Sequence, residues 1–368
     1  MTKKLTYITN QVCGSGGLER VLSLKASYFS DVFNYEVHII TLNQEQSTLF
    51  YDFSKKIHFH NITVSGNVLT YFFKYNSKLK NLLEKIDSDI ILVCDDGLKG
   101  LLLPVFYRKS CPMIYERHAS KKIIDNKDHS SILDKVKYKL FFWLMDFGAK
   151  RYDAVVLLTN GNKKDWRINN VTVIPNPLSF NNNDVEFHDQ REKIVLAVGN
   201  HGFQKGYDRL LKIWEKVISE HPDWKLNIFG KIDSEMKHLK LAEKLNITES
   251  INFFSPTKNI GKEYQKAAIY VMSSRSEGFG MVLIEAMSFG LPCIAFDCPH
   301  GPRDIISNGQ NGFLIENGNI EEFSNAISFF IKNEEVRLKM GLRAKKSVQR
   351  YSMQKIAGRW DNLFKELI

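Results

Sequence analysis

The chain has 368 residues, which is too long for one typical hydrophobic core and predicts two domains. Its 43% hydrophobic and 25% charged residues are typical of a globular protein, and the absence of a run of 18 uncharged apolar residues argues against a membrane-spanning helix. The formal net charge is +10, and residues 1–176 hold 25 basic against 17 acidic residues, so +8 of the surplus lies in the first half. This surplus favours an anionic partner such as a membrane surface, a phosphate-bearing acceptor or nucleic acid, although a solvated lysine-rich surface gives the same count.

The cysteines and the first residues bear on metal content and location. The five cysteines show neither the spacing nor the histidine partners of a zinc site, so reduced thiols and no metal are expected. The opening "MTKKLTYITNQ" lacks the long apolar core and the cleavage site of a signal peptide. Together these features predict a cytoplasmic protein.

The first half alternates short apolar runs with segments of helical spacing. "KLTYIT" predicts a strand, "CGSGG" a glycine-rich loop and "LERVLSLKASYFSD" a helix. Further strands are predicted at "YEVHIITL", "SDIILVCDD", "CPMIYERH" and "YDAVVLLT", each of which ends in polar residues. Strands that alternate with helices predict a parallel, doubly wound sheet, whose ligand site lies at the carboxyl ends of the strands.

The segment "VTVIPNPLSFNNND" carries two prolines and an asparagine run, and it is interpreted as a linker. After it the alternation restarts, with strands at "EKIVLAVGN", "WKLNIFG", "INFFS", "YVMSS" and "PCIAFD" and with helices between them. The prediction is an N-terminal domain of residues 1–176 and a C-terminal domain of residues 177–352. The amphipathic segment 353–368 is expected to pack back onto the first domain. The predicted fold class is α/β, with two facing, doubly wound, Rossmann-like domains.

The stretch "SEGFGMVLIEAMSFG" places two carboxylates around the opening of an apolar helix. Glu277 and Glu285 are eight residues apart, and eight helical steps span about 12 Å, which is too far for an acid–base pair or for one metal ion. Gly278 and Gly280 expose backbone N–H groups at a helix N-terminus, where phosphate is favoured. The pattern suits an elongated ligand with hydroxyls at both ends and charge in the middle, such as a nucleotide-sugar.

With these motifs the chain resembles the family 4 retaining glycosyltransferases. That family has the GT-B fold, in which two Rossmann-like domains face each other and the active site lies in the interdomain cleft. The resemblance runs from Gly14 to about Phe323 and rests on "GSGGLERV", "VIPNP", "VGNHGFQKGYDRLL" and "SEGFGMVLIEAMSFGLPCIAFDCPHGPRDIISNGQNGFLI". The E-x7-E pair in "EGFGMVLIE" is the most specific of these motifs.

The resemblance implies a nucleotide-sugar site in the C-terminal domain. Glu277 would bond hydroxyls of the donor sugar, and Glu285 would bond those of the ribose. Lys205 would hold the diphosphate, where a fixed cation stabilises the charge that grows on the leaving phosphate. The backbone amides that would approach the sugar and the pyrophosphate are those of Phe279, Gly280 and Met281.

One position departs from the family pattern. After the "VG" of the preceding strand the family commonly has an arginine as a second phosphate clamp, whereas this chain has Asn200. Asparagine can donate a hydrogen bond but brings no charge, so diphosphate binding is expected to depend more on Lys205. His201 and Arg209 are the candidates for a compensating cation.

In the N-terminal domain the resemblance implies an acceptor side. Gly16 and Gly17 would let the first loop approach the donor phosphate. His118, in "YERHAS", would lie near the donor sugar, although a histidine at a strand end is more often structural when considered without the resemblance.

Other charged residues lie near this histidine in the sequence. Arg117 and the pair Lys121–Lys122 are interpreted as positive charge for an acceptor that carries phosphate. Asp95 and Asp96, at the end of "ILVCDDG", could border the same cleft, and they do not form a D-x-D metal motif.

These features predict a retaining, metal-independent glycosyltransferase without a cofactor, in which the nucleotide-sugar is a substrate. A UDP-hexose or UDP-N-acetylhexosamine is preferred to GDP-mannose as the donor. The expected acceptor is a growing glycan of cell-surface polysaccharide, carried on a polyprenyl diphosphate at the inner face of the plasma membrane. A nucleotide-sugar 2-epimerase of the same fold and a noncatalytic nucleotide-sugar-binding protein are the alternatives. Nucleic acid is not an expected partner, because no recognition motif accompanies the basic surplus.

A segment of the basic half suggests membrane contact. In "LDKVKYKLFFWLMDF", residues 133–147, Lys135, Lys137 and Lys139 lie beside aromatic and aliphatic residues, as in segments that bind an anionic membrane surface. The other interpretation is a helix whose aromatic residues face the core of the N-terminal domain.

Overall fold

The computed structural model describes residues 2–44, 48–107, 110–121, 132–180 and 191–368. The asparagine run of the predicted linker and Lys122 lie outside these ranges. The chain forms two compact units: unit 1 is Met1–Pro177 together with Met353–Ile368, and unit 2 is Leu178–Ser352. No helix in the described ranges combines the length and the apolar character needed to cross a membrane.

Unit 1 is built on a parallel sheet. Its strands are β1 Lys4–Ile8, β2 Glu36–Leu42, β3 His58–Ile62, β4 Ile90–Val93, β5 Met113–Glu116, β6 Ala154–Leu157 and β7 Val171–Val173. Its helices are α1 Gly17–Asp31, α2 Val68–Ile86, α3 Leu98–Leu101, α4 Leu103–Phe106, α5 Ile132–Ala149, α6 Asn160–Lys163 and, at the end of the chain, α14 Met353–Leu367. The strand order is β3-β2-β1-β4-β5-β6-β7, and every neighbouring pair is parallel.

Strands β4 and β6 of unit 1 are apolar along their whole length, as expected where helices cover both faces of a parallel sheet. All residues of β4 and β6 are buried, as their unbroken apolar runs predict. Two edge strands of unit 1 were not predicted. The strand β3 reads "HFHNI" and is too polar to give an apolar signal. The strand β7 occupies the first three residues of the predicted linker, so the linker interpretation is wrong there.

Helix α14 belongs to the core of unit 1. Its apolar side chains Ile356, Trp360 and Phe364 are buried in the same cluster as Phe29 of α1. The ring centroids of Phe364 and Phe29 are 5.3 Å apart. The last helix therefore completes one side of a sheet whose strands come from the first half of the chain.

A buried ion pair lies in this core. Lys25 of α1 pairs directly with Glu116 at the end of β5, and each side chain is only 1% exposed. The Lys25 Nζ atom also lies 4.0 Å from the ring centre of Trp360. Burial alone would raise the pKa of Glu116, but attraction to Lys25 and His118 outweighs burial and holds that pKa below its ordinary value. The carboxylate is therefore charged in the folded protein.

Unit 2 repeats the architecture with six strands. They are β8 Ile194–Val198, β9 Lys225–Phe229, β10 Ile251–Phe254, β11 Ile269–Met272, β12 Cys293–Asp297 and β13 Gly312–Glu316. Its helices are α7 Tyr207–Glu220, α8 Lys237–Lys244, α9 Ile260–Lys266, α10 Met281–Ser288, α11 Pro302–Ile305, α12 Ile320–Lys332 and α13 Glu334–Ser347. The strand order is β10-β9-β8-β11-β12-β13, all parallel. Each unit thus has a doubly wound, Rossmann-like topology, which confirms the predicted α/β class with two such domains.

The buried pair of unit 1 gives a stability prediction. Lys25→Met should lower the free energy of unfolding by about 3–5 kcal/mol, because it leaves the Glu116 carboxylate buried without its partner. Urea denaturation measures the loss. Lys56, whose side chain is 63% exposed beside Asp31, supplies the control, and Lys56→Met should cost less than about 1 kcal/mol. Equal midpoints for Lys25→Met and the wild type would contradict the importance of the pair.

Candidate functional site

The candidate site of unit 2 lies where β8 and β11 end side by side. These strands are neighbours, and the direction of winding reverses between them, which is where ligands bind in doubly wound sheets. The segment after β8 carries Lys205, and the segment after β11 carries Glu277. Lys205 Nζ donates to Glu277 Oε1 at 2.7 Å. Two residues singled out from the sequence, 72 positions apart, are therefore in direct contact.

The two members of this pair differ in their exposure to solvent. Ser274 Oγ donates a second hydrogen bond to the same Glu277 oxygen, at 2.6 Å. The Glu277 side chain is 8% exposed, whereas that of Lys205 is 21% exposed. The carboxylate is thus held from two sides, and the lysine retains an open side through which an anion can reach it.

Hydrogen bonds that the sequence did not indicate tie the two segments together. Gln204 Nε2 donates to the backbone oxygen of Ser276 at 2.8 Å. The Arg275 guanidinium donates through two nitrogens to the Asp208 carboxylate, at 2.8 and 2.7 Å. In the sequence, Arg275 could have been singled out only by its position close before Glu277. These bonds restrict the position of Lys205 relative to that glutamate.

Gly206 brings the turn that carries Lys205 against the end of β11. Its φ is +65°, in the left-handed region, and a Cβ at this position would collide with the backbone oxygen of Ser273. Ser273 Oγ in turn donates to the backbone oxygen of Lys205 at 2.9 Å. Only glycine meets both requirements without strain, so Gly206 allows this turn to form.

Glu285 occupies a different environment from Glu277. Helix α10 begins at Met281, so Glu277 lies before the helix. The separation of about 12 Å expected from the sequence assumed a helix over the whole segment 277–285, and that assumption is wrong for the half before Met281. Glu285 is 2% exposed, and its two carboxylate oxygens accept hydrogen bonds from Ser179 Oγ at 2.7 Å and from the Tyr264 hydroxyl at 3.1 Å. The polar partners that a buried Glu285 requires are thus hydroxyl groups from two distant segments.

The start of α10 presents backbone N–H groups. Gly280 is the residue before the helix, with a φ of +99° and no side chain that could cap it. Phe279 is buried, and Met281 is the first helical residue. The first four N–H groups of a helix have no partner inside it. Gly280 therefore gives this helix N-terminus no side-chain cap, and a helix N-terminus favours an anion.

The position expected to carry a second cation is uncharged. Asn200 Oδ1 accepts the backbone N–H of Lys231 at 3.1 Å. Burial, with a smaller contribution from His238, lowers the pKa of His201 to about 4, so His201 is neutral at pH 7 and the expectation that it compensates is wrong. Arg209 lies in the first turn of α7, where it donates to Asn317 Oδ1 at 2.8 Å. Of the two candidates only Arg209 is charged at pH 7.

In unit 1, His118 is held by the buried ion pair. Its Nε2 lies 3.2 Å from Glu116 Oε1, and its side chain is largely buried. Its backbone N–H donates to Asp96 Oδ1 at 3.1 Å. Because Glu116 is itself fixed by Lys25, the imidazole has one preferred orientation.

Two cations near His118 are engaged inside the protein. Arg117 is buried, and its guanidinium donates to the backbone oxygens of Ala119 at 3.0 Å and of Ser120 at 3.3 Å. Lys121 is also buried and pairs with Asp146. The expectation that Arg117 and Lys121 offer charge to an acceptor phosphate is therefore wrong.

The two aspartates after β4 position neighbouring segments. Asp95 is buried, and its Oδ1 accepts from Asn10 Nδ2 at 3.1 Å and from the backbone N–H of Gly97 at 2.9 Å. Asp96 fixes the backbone of His118, as described above. Both carboxylates thus shape the end of the sheet.

The glycine-rich loop of unit 1 contains a charge that was not anticipated. Helix α1 begins at Gly17, and Gly16 precedes it without a side-chain cap. The Glu19 carboxylate lies against this loop, where a Cβ added at Gly14 or Gly16 would collide with it. A phosphate that approaches the loop would meet this carboxylate.

Comparison with known proteins shows that the chain is similar to glycosyltransferases. Residues 180–347 match the family model described as Glycosyl transferases group 1. The chain is 28% identical to an uncharacterized glycosyltransferase of Haemophilus influenzae, an alignment that covers 98% of this chain and 99% of that protein. It is 29% identical, with the same coverage, to the amylovoran biosynthesis glycosyltransferase AmsD of Erwinia amylovora.

A solved structure shows the same fold. The crystal structure of Anabaena HepE in complex with UDP-glucose matches with a TM-score of 0.79, covering 99% of this chain and 100% of that one. The sequence identity is 17%, so this likeness concerns the fold alone.

The turn at Gly206 gives a second prediction. Gly206→Ala should lower the free energy of unfolding by about 1–2 kcal/mol or more, because alanine is disfavoured in the left-handed region and its Cβ meets Ser273. Gly202, in the same segment, has nothing within 4 Å of an added Cβ and is the matched control. Urea denaturation of both variants measures the difference. Equal stability of the two would contradict the tight approach at Gly206.

Proposed function

We propose that the chain transfers a hexose or N-acetylhexosamine from a UDP-sugar to a glycan acceptor with retention of configuration, because residues 180–347 match the model of the Glycosyl transferases group 1 family. The observation that carries the proposal is the contact between Lys205 and Glu277 at the reversal point of the unit 2 sheet. A bound donor would exchange this contact for two new ones. Lys205 would pair with the diphosphate, and Glu277 would accept hydrogen bonds from hydroxyls of the sugar.

The electrostatics of the pair support this exchange. A carboxylate alone would repel a diphosphate, but an ion pair at 2.7 Å presents little net charge to it. As the bond between the anomeric carbon and the diphosphate oxygen breaks, negative charge grows on that oxygen. A lysine already positioned nearby stabilises this developing charge without reorganisation during the reaction.

Other residues of unit 2 are assigned to the remaining parts of the same nucleotide-sugar. The Phe279, Gly280 and Met281 amides would approach the pyrophosphate and the sugar, because the uncapped start of α10 favours an anion. Glu285 would accept hydrogen bonds from the ribose hydroxyls. These would replace the hydrogen bonds that it accepts from the Ser179 and Tyr264 hydroxyls. Asn200 would contribute hydrogen bonding without charge.

In unit 1 we assign His118 to the sugar end of the donor and Gly16 and Gly17 to its phosphate. Support for His118 is its orientation by Glu116 at 3.2 Å, which fixes the ring before a substrate arrives. In the proposed reaction the acceptor oxygen forms a bond with the anomeric carbon on the face that the diphosphate leaves. The acceptor proton passes to the departing phosphate oxygen, so no covalent enzyme intermediate and no catalytic metal ion are invoked.

The acceptor class is proposed from the relatives. AmsD is named for amylovoran biosynthesis, and another relative, 27% identical over 77% of this chain, is a Staphylococcus aureus poly(ribitol-phosphate) α-N-acetylglucosaminyltransferase. A growing polysaccharide or lipid-linked glycan is therefore the acceptor that we propose, at the cytoplasmic face of the membrane. A 2-epimerase or a noncatalytic binding protein would be revealed by an epimerised sugar or by donor binding without turnover.

The donor site gives a kinetic prediction. Lys205→Met should lower kcat by about 10²-fold or more, with a smaller effect on KM, because the charge that Lys205 stabilises develops in the transition state. UDP release from a panel of UDP- and GDP-sugars, measured with a lipid-linked glycan acceptor, provides the assay.

Lys231 is the matched control, since its side chain is exposed and lies in the segment after β9. Lys231→Met should retain wild-type turnover. A Lys205→Met variant that raises only KM would show uniform donor binding and contradict the catalytic assignment.

A further proposal is that helix α5 binds an anionic membrane surface. Its exposed apolar side chains Leu133, Val136, Leu140 and Trp143 are between 55% and 71% exposed. Their spacing of three, four and three residues places them on one face of the helix. Lys137 and Lys139 are exposed, and at 3.6 residues per turn they flank this face on opposite sides, each about 80° from its centre.

The core-packing alternative accounts for other residues of α5. Phe141 and Phe142 pack against the core cluster of unit 1, so this part of the aromatic segment has an internal role. The side chains of the exposed face are directed to solvent instead; they are Leu133, Val136, Leu140 and Trp143. The arrangement of an apolar face between lysines supports contact with anionic lipid headgroups and the layer beneath them.

Liposome flotation tests the membrane proposal. The wild type should float with anionic vesicles at low salt, less at high salt and little with neutral vesicles, because salt screens the attraction. Leu140→Ser combined with Trp143→Ser should reduce recovery severalfold. Phe329→Ser, at an exposed apolar position of unit 2, should not. Equal recovery with both lipids at both salt concentrations would contradict the proposal.

A further inference from the structure

Among the described residues, three groups of histidine, cysteine and acidic side chains lie close enough together to hold a metal ion. In two of them, internal partners already engage the ligand atoms. Glu116 is paired with Lys25. His38 is hydrogen bonded to Glu36 and to His60, each at 3.0 Å. The third group differs from both.

The third group consists of His201, Asp233 and His238 in unit 2. One nitrogen or oxygen atom from each lies within 4.8 Å of the others. His201 is 5% exposed and His238 is 8% exposed. Both ring nitrogens of His201, Nδ1 of His238 and Oδ2 of Asp233 are buried, and within the described ranges none has a hydrogen-bond partner. Buried polar atoms without partners are costly, so this convergence points to a bound ligand.

The distances within the group fit a single ion. His238 Nδ1 and Asp233 Oδ2 are 3.6 Å apart, which is beyond hydrogen-bond distance. Two ligand atoms at about 2.1 Å from one tetrahedral ion are separated by about 3.4 Å. The ring centroids of His201 and His238 are 5.2 Å apart with their planes at 73°, so the two rings converge rather than stack. The rings of Tyr207 and Phe253, with centroids 5.1 and 5.5 Å from that of His201, form an aromatic wall beside the group.

The carboxylate is oriented by the backbone. Asp233 Oδ1 accepts the N–H groups of Glu235 at 3.0 Å and of Lys237 at 3.3 Å. The other oxygen, Oδ2, is the one near the histidines. This is the role that outer hydrogen bonds have at metal centres, where they fix a ligating carboxylate before the ion binds.

We propose that His201, His238 and Asp233 bind one divalent transition-metal ion of the Zn²⁺ type, with a fourth position open to water. Two imidazoles and one carboxylate suit Zn²⁺ and its neighbours, whereas Mg²⁺ takes oxygen ligands. The ion joins the segment after β8 to the segment after β9 and thereby stabilises the turn that carries Lys205. This site was not expected from the sequence, and it does not depend on the proposed transferase activity.

Cobalt binding tests the proposal on the full chain. Protein freed of metal with a chelator and then incubated with Co²⁺ should retain one equivalent after gel filtration and show the visible absorption of a tetrahedral ion. Equimolar Zn²⁺ should displace it, and excess Mg²⁺ should not. The melting temperature should rise by several degrees at a hundredfold excess of Zn²⁺ over its Kd.

Variants locate the ion. Asp233→Asn keeps an oxygen for the backbone N–H groups but loses the charged ligand, and His201→Gln removes an imidazole, so both should lose the retained cobalt. His221→Gln is the matched control, because His221 lies outside this group, is also largely buried, and has no hydrogen-bond partner for its Nε2 among the described residues. It should bind as the wild type does. Failure of the wild type to retain cobalt would overturn the proposal, and so would retention by Asp233→Asn and His201→Gln equal to that of the wild type.

Discussion

The ion pair between Lys205 and Glu277 depends on the order of the strands in unit 2. β8 and β11 are neighbours although β9 and β10 lie between them in the sequence. This crossover brings the segment after β8 against the segment after β11, at the carboxyl ends of both strands. The Arg275–Asp208 pair and the turn at Gly206 then fix the relative positions of the two segments. The site is therefore a consequence of topology first and of side-chain chemistry second.

The Lys25–Glu116 and Lys205–Glu277 ion pairs differ in their exposure to solvent. Lys25 and Glu116 are equally buried, and aromatic rings surround the lysine. Such a pair is stable in one arrangement, and it orients His118 without taking part in exchange. Lys205 is more exposed than Glu277, so it can move to a second partner while Ser274 still holds the carboxylate. The first pair suits a structural role, and the second suits a site that opens to a ligand.

The sequence predicted much of the fold because apolar residues predominate in the buried strands. β1, β2, β4, β5 and β6 and the strands β8 to β12 were all recognised in this way. The strand β3 was missed because an edge strand can be polar, and β7 was missed because prolines follow it closely. The edge strand β13 of unit 2 was also not predicted. Glycine and glutamate spacing identified the segment 277–285, since it combines local features that a sequence displays directly.

Contacts between distant segments could not be predicted in the same way. Ser179 and Tyr264 meet at Glu285 across separations of 106 and 21 residues, and no periodic pattern marks such a meeting. Burial also reversed two expectations about charge. Arg117 and Lys121 were assigned to an acceptor from their charge alone, but the fold uses both internally. His201 was a candidate cation, but its buried position makes it neutral at pH 7.

The proposed activity requires the Lys205–Glu277 contact to open when a nucleotide-sugar donor binds. The most direct measurement is a crystal structure of the protein with a bound UDP-sugar. The account predicts that Lys205 Nζ has moved to a diphosphate oxygen, at a distance of about 2.7–2.9 Å, and that Glu277 accepts hydrogen bonds from the sugar. A complex in which the diphosphate lies elsewhere and the Lys205–Glu277 bond is intact would contradict it.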